Sequence, residues 1–235
     1  MARTDAAESL NLDIYRQLRA DIITGHYPPG SRIGSNEVRQ RFAVSTGVVR
    51  EAMARLEVHG LVRVEPNRGF YVPSLSAKQL RDLTDARVLN ETAALRAAIR
   101  LGDVDWETRV LAAHHKMARL PANEQVVSPR DITMVDAHLD FHMELLSACD
   151  NDVLLDICRR LQDTAELYRS WAVEEYVKQG RRDGRAEEHR RILDATLARD
   201  EKEAVAVYEH HLRFTASVIL AGSEEQGNID SLTEN

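Results

Sequence analysis

Between Ser35 and Val72 the chain sets down two short helical segments and two β-rich runs with almost no spare residues, and nothing else in it constrains the fold as tightly. Ser35 is placed to cap a helix through about Phe42, and Ser45 to cap a second through about His59. A short side-chain oxygen at such a position accepts from backbone N–H groups that the first helical turn leaves open. The second segment sets Val48 or Val49, Ala52, Met53 and Leu56 on one stripe, and Gly60 ends it. L-V-R-V-E and G-F-Y-V then read as strands joined by the turn P-N-R-G. Upstream, Leu12, Ile14, Tyr15, Leu18, Ile22 and Ile23 fall at helical spacing from Leu10 to about Gly25, and H-Y-P-P-G stops that helix. Three helices followed by a hairpin form a winged helix-turn-helix pattern.

Beyond a hinge expected at Pro73-Ser74, strands disappear. Helical periodicity predicts segments near 77–101, 104–119, 130–148, 152–178, 185–199 and 201–221, with Pro121, Pro129, Asp150-Asn151, Gly180 and Gly184 between them. The fold expected is mainly α: an N-terminal winged helix-turn-helix over 1–74, a C-terminal all-α bundle over 75–222, and a flexible tail over 223–235. With 43% hydrophobic and 29% charged residues, a sizeable core is expected and disorder is not. No apolar run approaches the ~20 residues of a membrane span, and the opening M-A-R-T-D-A-A-E lacks the apolar stretch of a signal peptide. Two cysteines, Cys149 and Cys158, make no disulfide framework, so a cytoplasmic location is expected. The net charge of −7 is unevenly divided, +2 over residues 1–74 and −9 over the rest, so only the head is suited to a polyanion.

A helix opening at Thr46 turns free N–H groups and the positive end of its dipole outward, which suits a phosphate or a base edge. Ser45, Thr46 and Gly47 form that end, and Arg50 sits one turn in, on the face away from Ala52 and Met53. Arg39, Arg41 and Arg55 are surface charges within reach of phosphates. The runs V-S-T-G-V-V-R-E-A at 44–52, L-E-V-H-G-L-V at 56–62 and P-N-R-G at 66–69, with Y-P-P-G-S-R-I upstream, resemble the winged helix-turn-helix of GntR-type bacterial transcription regulators. The resemblance implies double-stranded DNA as partner. It places Arg50 in the major groove and Arg68, with Gly69, at a hairpin tip near the minor groove. Many relatives carry Arg where Asn36 stands, and Arg-Thr-Pro where Thr46-Gly47-Val48 stands. Asn favours adenine edges and Arg guanine, so an operator less dependent on guanine at those positions is expected.

Four histidines fall on core-facing stripes of the second half. His138 and His142 are four apart beside Val135, Leu139 and Leu145; His189 lies one turn before Ile192 and Leu193; His211 shares a stripe with Ala204, Tyr208, Thr215 and Val218. Imidazoles from three helices turned into one bundle suit a divalent metal, zinc or nickel rather than magnesium or calcium. The alternative is four core histidines satisfied by hydrogen bonds. His210 is a weaker competitor for His211, His114 and His115 read as solvated, and His59 as a helix end. The runs H-L-D-F-H-M-E-L-L-S-A-C-D-N, E-E-H-R-R-I-L-D and E-H-H-L resemble the FCD ligand domain of the FadR subfamily of GntR regulators. In that resemblance His142, His189 and His211 match three metal-binding histidines, and His138 stands where many members have an aspartate.

Arg87 faces inward by its spacing from Leu80 and Leu83. The resemblance implies that it pairs with the carboxylate of a small organic acid effector; an internal ion pair with Glu91, four residues on, is the alternative. The function expected is a homodimeric, metabolite-responsive DNA-binding regulator. Its rivals are a DNA-binding regulator with a purely structural metal and, without a general-base motif such as H-E-x-x-H to support it, a metal-dependent hydrolase.

Overall fold

The computed structural model describes the backbone of residues 2–120, 131–178 and 185–224. It is mainly helical. In the head, α1 (Ala2–Ile23) precedes a short strand β1 (Arg32–Ile33), then α2 (Ser35–Phe42), α3 (Thr46–Val58), β2 (Arg63–Glu65) and β3 (Gly69–Tyr71). The bundle follows as α4 (Ala77–Leu101), α5 (Val104–Arg119), α6 (Ile132–Leu146), α7 (Asp152–Lys178), α8 (Arg185–Leu197) and α9 (Glu201–Glu224).

The turn between α2 and α3 is tight because Ala43 adopts a left-handed conformation with φ 52°, and Ser45 then caps α3 by accepting from the Val48 N–H at 3.4 Å. Ser35 does not cap: Gly34 holds that position, no side chain bonds to the helix start, and Ser35 is the first helical residue. The P-N-R-G turn works as its residue types demand. Asn67 tolerates φ 61°, Gly69 takes φ 105°, and the Arg68 N–H closes on the Glu65 carbonyl at 3.0 Å. β3 lies between β1 and β2, antiparallel to both, with Arg32 and Arg63 on either side of Tyr71.

Three differences from the sequence reading have physical causes. α1 reaches back to Ala2, through a segment with no apolar stripe to announce it. β1 is too short to show alternation. Residues 72–75 are not a loose hinge: Val72 and Leu75 are buried in an apolar cluster that also holds Leu18 and Met53 of the head, and Leu167, Tyr168 and Ile219 of the bundle. At the C-terminal end, α9 runs to Glu224, two residues into the span expected as tail; residues 225–235 lie outside the described residues.

Polar bonds also join head to bundle. Asp163 of α7 accepts from Arg19 Nη2 at 3.1 Å and lies 2.7 Å from His59 Nδ1 at the end of α3. Arg19 also donates to Asp136 of α6 at 2.8 Å. Thr164 donates to the His59 carbonyl at 3.3 Å. Gly60, at φ 70°, sits so close that an added Cβ would lie 2.4 Å from Thr164 Oγ1. Gly60→Ala is therefore expected to lower the melting temperature, with about 1–2 kcal/mol coming from the left-handed backbone alone. Thr164→Ala in that background should recover only the steric part. An unchanged melting temperature in Gly60→Ala would show that the junction is not packed this way.

Candidate functional site

The bundle brings His138 and His142 of α6, His189 of α8 and His211 of α9 together, with one potential ligand nitrogen from each lying within 4.8 Å of all the others. His142, His189 and His211 are 1%, 5% and 3% exposed. His210 is exposed and stacks on Phe214, which settles which of the adjacent pair points inward. His114 is not simply solvated: it is half-buried, edge-on to Phe141 at 5.3 Å, and burial lowers its pKa.

Neighbours fix the tautomers of two rings. The Tyr208 hydroxyl donates its one hydrogen to Glu91 Oε2 at 2.6 Å, so toward His142 Nδ1, at 3.2 Å, it can only accept. Nδ1 of His142 thus carries the proton and Nε2 keeps its lone pair. His211 Nδ1 lies 2.7 Å from Glu188 Oε2, and a carboxylate accepts, so the same holds there. Backing a ligand imidazole with an acceptor is the usual support of a metal site. The Nε2 atoms of His142 and His189 are 3.3 Å apart. Two imidazole nitrogens at tetrahedral positions around zinc would stand about 3.3 Å apart, given Zn–N near 2.0–2.1 Å.

The charge state agrees with this donor set. Burial first, then the neighbouring histidines, pushes the His142 pKa well below its ordinary value. Burial and the Arg169 charge push His138 down to about 3. His138 Nδ1 is 3.7 Å from Glu166 Oε2. Burial alone would raise the Glu166 carboxyl, but Arg169 and His138 more than offset it and hold it down to about 2. Asp136 and Asp140 do not substitute for the fourth imidazole: one binds Arg19, the other Lys116 at 3.0 Å.

A narrow cavity of about 30 Å³ opens beside the histidines, and Arg87, Gln162, Glu166, Arg169 and Thr215 line it together with His138, His142 and His211. Arg87 is where its spacing put it, but its fork is engaged. Nε donates to Glu91 Oε1 at 2.7 Å and Nη2 to Oε2 at 3.3 Å, the internal pair that the spacing also allowed. Glu91 is fully buried and accepts as well from Gln162 Nε2 at 3.1 Å. Sequence reasoning weighed Glu91 only as a partner for Arg87. The buried Tyr208 on the His211 stripe was the available signal, since a buried hydroxyl needs a partner.

On the head, Asn36, Ser45, Thr46, Gly47 and Arg50 are exposed, and Arg68 is 75% exposed at the hairpin tip, 3.4 Å from Glu65, beside Gly69. Arg41 pairs with Asp21 and Arg55 lies over the Tyr15 ring, so both also serve the head's own packing.

Comparison with known proteins gives two family matches, the gntR family of bacterial regulatory proteins over residues 10–72 and the FCD domain over residues 82–214. The chain belongs to the GntR family. It is 32% identical to the uncharacterized HTH-type transcriptional regulator BphR of Paraburkholderia xenovorans, over 87% of this chain and 83% of that one. It is equally 32% identical to the HTH-type transcriptional repressor GlaR of Escherichia coli, over 86% of this chain and 92% of that one. A GntR-type transcriptional regulator from Rhodococcus sp. RHA1 shares the fold, with a TM-score of 0.72 at 24% identity over 91% of this chain and 98% of that one. This GntR protein is a DNA-binding transcriptional regulator with an FCD domain. FCD domains often bind metal, and its histidine cluster could hold one. Among the described residues, no helix is long and apolar enough to cross a membrane.

Proposed function

We propose that this regulator senses a small organic acid at a divalent metal held by His138, His142, His189 and His211, and that occupancy changes the grip of the head on operator DNA. The observation that carries the reading is the convergence of four imidazoles on the wall of a cavity that also holds Arg87. The all-nitrogen donor set favours zinc or nickel, and a bound ion would supply a Lewis-acidic anchor for a carboxylate oxygen. Arg87 keeps its Nη1 edge, which makes no hydrogen bond among the described residues, for the same carboxylate.

α7 supports the regulatory part of the reading. Its Gln162, Glu166 and Arg169 line the cavity, while its Asp163 and Thr164 hold Arg19 and His59 of the head. A shift of α7 on ligand binding is therefore felt where α3 ends. Residues 1–74 form the DNA-binding unit and 75–222 the sensing unit. Asn36, Ser45, Thr46, Gly47, Arg50, Arg68 and Gly69 touch the operator. Two heads are brought to a two-fold operator by homodimerisation through the helical domains. On this reading the acid binds and leaves chemically unchanged, and the protein acts in the cytoplasm as a sensor rather than an enzyme.

The test is metal analysis of the purified protein, followed by operator binding with and without a short-chain acid, each with and without chelator. The reading requires zinc or nickel near one per chain and an acid effect that the chelator abolishes. The ion pair between Arg87 and Glu91 favours one other reading, a structural metal with no effector; it wins if no acid shifts the melting temperature of the metal-loaded protein. On the DNA side, Arg50→Ala is expected to weaken operator binding by about 1–3 kcal/mol and leave the melting temperature alone, because the side chain is exposed. Unchanged affinity in a mobility-shift titration would remove Arg50 from the interface.

A further inference from the structure

The cavity wall carries polar atoms that a metal and a carboxylate do not use. Among the described residues, six buried side-chain nitrogen or oxygen atoms have no hydrogen-bond partner. Two of them that no metal would use, Gln162 Oε1 and Thr215 Oγ1, belong to residues that line this one cavity; a third, His138 Nδ1, faces Glu166 Oε2 at 3.7 Å. Such atoms cost stability when left unmatched, so their concentration at one place points to a ligand.

Gln162 is the most informative. It is 2% exposed, and its Nε2 donates to Glu91 Oε2 at 3.1 Å. A carboxylate only accepts, so the amide cannot be turned around. Oε1 is left facing the need for a donor. Thr215 can donate or accept. The charges already on the wall are matched, Arg87 with Glu91 and Arg169 with Glu166, so no carboxylate is left over for an ammonium. At about 30 Å³ the cavity takes only a small guest, which puts any donor close to the guest's carboxylate.

We infer that the ligand is a 2-hydroxy acid, whose hydroxyl donates to Gln162 Oε1 and accepts from Thr215 Oγ1. This deepens the proposed function and rests on it, because it assumes that the cavity binds a small acid. Gln162 then decides specificity: an acid without the hydroxyl leaves Oε1 buried and unpaired.

The test is calorimetric titration of the zinc-loaded full chain with glycolate against acetate, L-lactate against propionate, and glycine. Glycolate and lactate are expected to bind about tenfold or more tighter than their hydroxyl-free partners, as the loss of one buried hydrogen bond requires. Gln162→Met is expected to bring that ratio near one with acetate affinity little changed, and Thr215→Val to reduce it by a smaller factor. Equal binding in the wild type, a ratio that survives Gln162→Met, or glycine outranking glycolate overturns the inference. If Gln162→Met does not fold, Thr215→Val decides, and an unchanged ratio there overturns it too. Acids that bind without regard to the hydroxyl sink this inference alone. If no acid binds the zinc-loaded protein, the proposed function falls and takes this with it.

Discussion

Glu91→Ala is expected to destabilise the bundle by about 3–5 kcal/mol, the cost of removing one partner of a buried ion pair. Glu91 is fully buried, and its carboxylate accepts from Arg87, Gln162 and Tyr208. Those donors come from α4, α7 and α9, so one side chain ties three helices together. Alanine would strand a guanidinium that is only 13% exposed and leave two further donors unmatched. Glu91→Gln keeps the volume and half the acceptor capacity, so it should cost less, and the gap between the two variants measures what the charge does. A loss of this size is a large share of the 5–15 kcal/mol that holds a typical domain folded. Urea unfolding monitored by circular dichroism reads it directly. A midpoint in Glu91→Ala close to that of the wild type would show that Arg87 finds water or another acceptor at no cost. Because Tyr208 passes the Glu91 bond on to His142, the same variants should also weaken zinc binding, by about 10–100-fold if the support behaves as outer partners of metal ligands generally do.

How much of this was legible in the sequence depended on how local the physics is. The Ser45 cap, the α3 stripe ended by Gly60 and the P-N-R-G turn are decided within a few residues, and all were readable. The four histidines were readable because helical spacing alone says which face each ring shares with leucines and valines. Ser35 misled because a serine at the start of a helix can cap it or simply begin it, and Gly34 with an extended backbone took the cap position. The hinge at Pro73-Ser74 misled because proline and serine signal a turn, while the burial of Val72 and Leu75 depends on α7 and α9 arriving from the other end of the chain. The bond from His59 to Asp163 spans 104 residues and has no local signature at all. Partners of this kind set the tautomers of the histidines and join the bundle to the head, so the contacts that matter most to the proposed site are the least legible ones.

Metal removal combined with acid should produce the second large effect, and the sign follows from burial. His142 is held well below its ordinary pKa and His138 is pushed down to about 3, chiefly because burial penalises the charged imidazole. In the unfolded chain the same rings titrate near 6.5. Between these limits the unfolded state binds more protons than the folded one, so stability rises with pH across that interval. It is fully present above about pH 7.5 and is lost as pH falls below 6.5, by up to about 1.4 kcal/mol per unit for each such histidine. A divalent ion requires the same neutral rings, so acid also weakens its binding, and the two effects add. At a free zinc concentration about a thousandfold above the dissociation constant, the ion would stabilise the folded state by about 4 kcal/mol. Melting temperatures measured from pH 7.5 to 5.0 should therefore fall in both forms, with the zinc-loaded curve above the chelated one at neutral pH and converging on it as acid displaces the ion. His142→Leu fills the position with an apolar side chain and removes one titrating ring. It should abolish the separation between the loaded and chelated curves and flatten the acid slope of the chelated one. Coincident curves for the loaded and chelated wild type at pH 7.5 would mean that the four imidazoles are core residues, with His142 held by Tyr208 and His211 by Glu188, and the proposed metal site would fall.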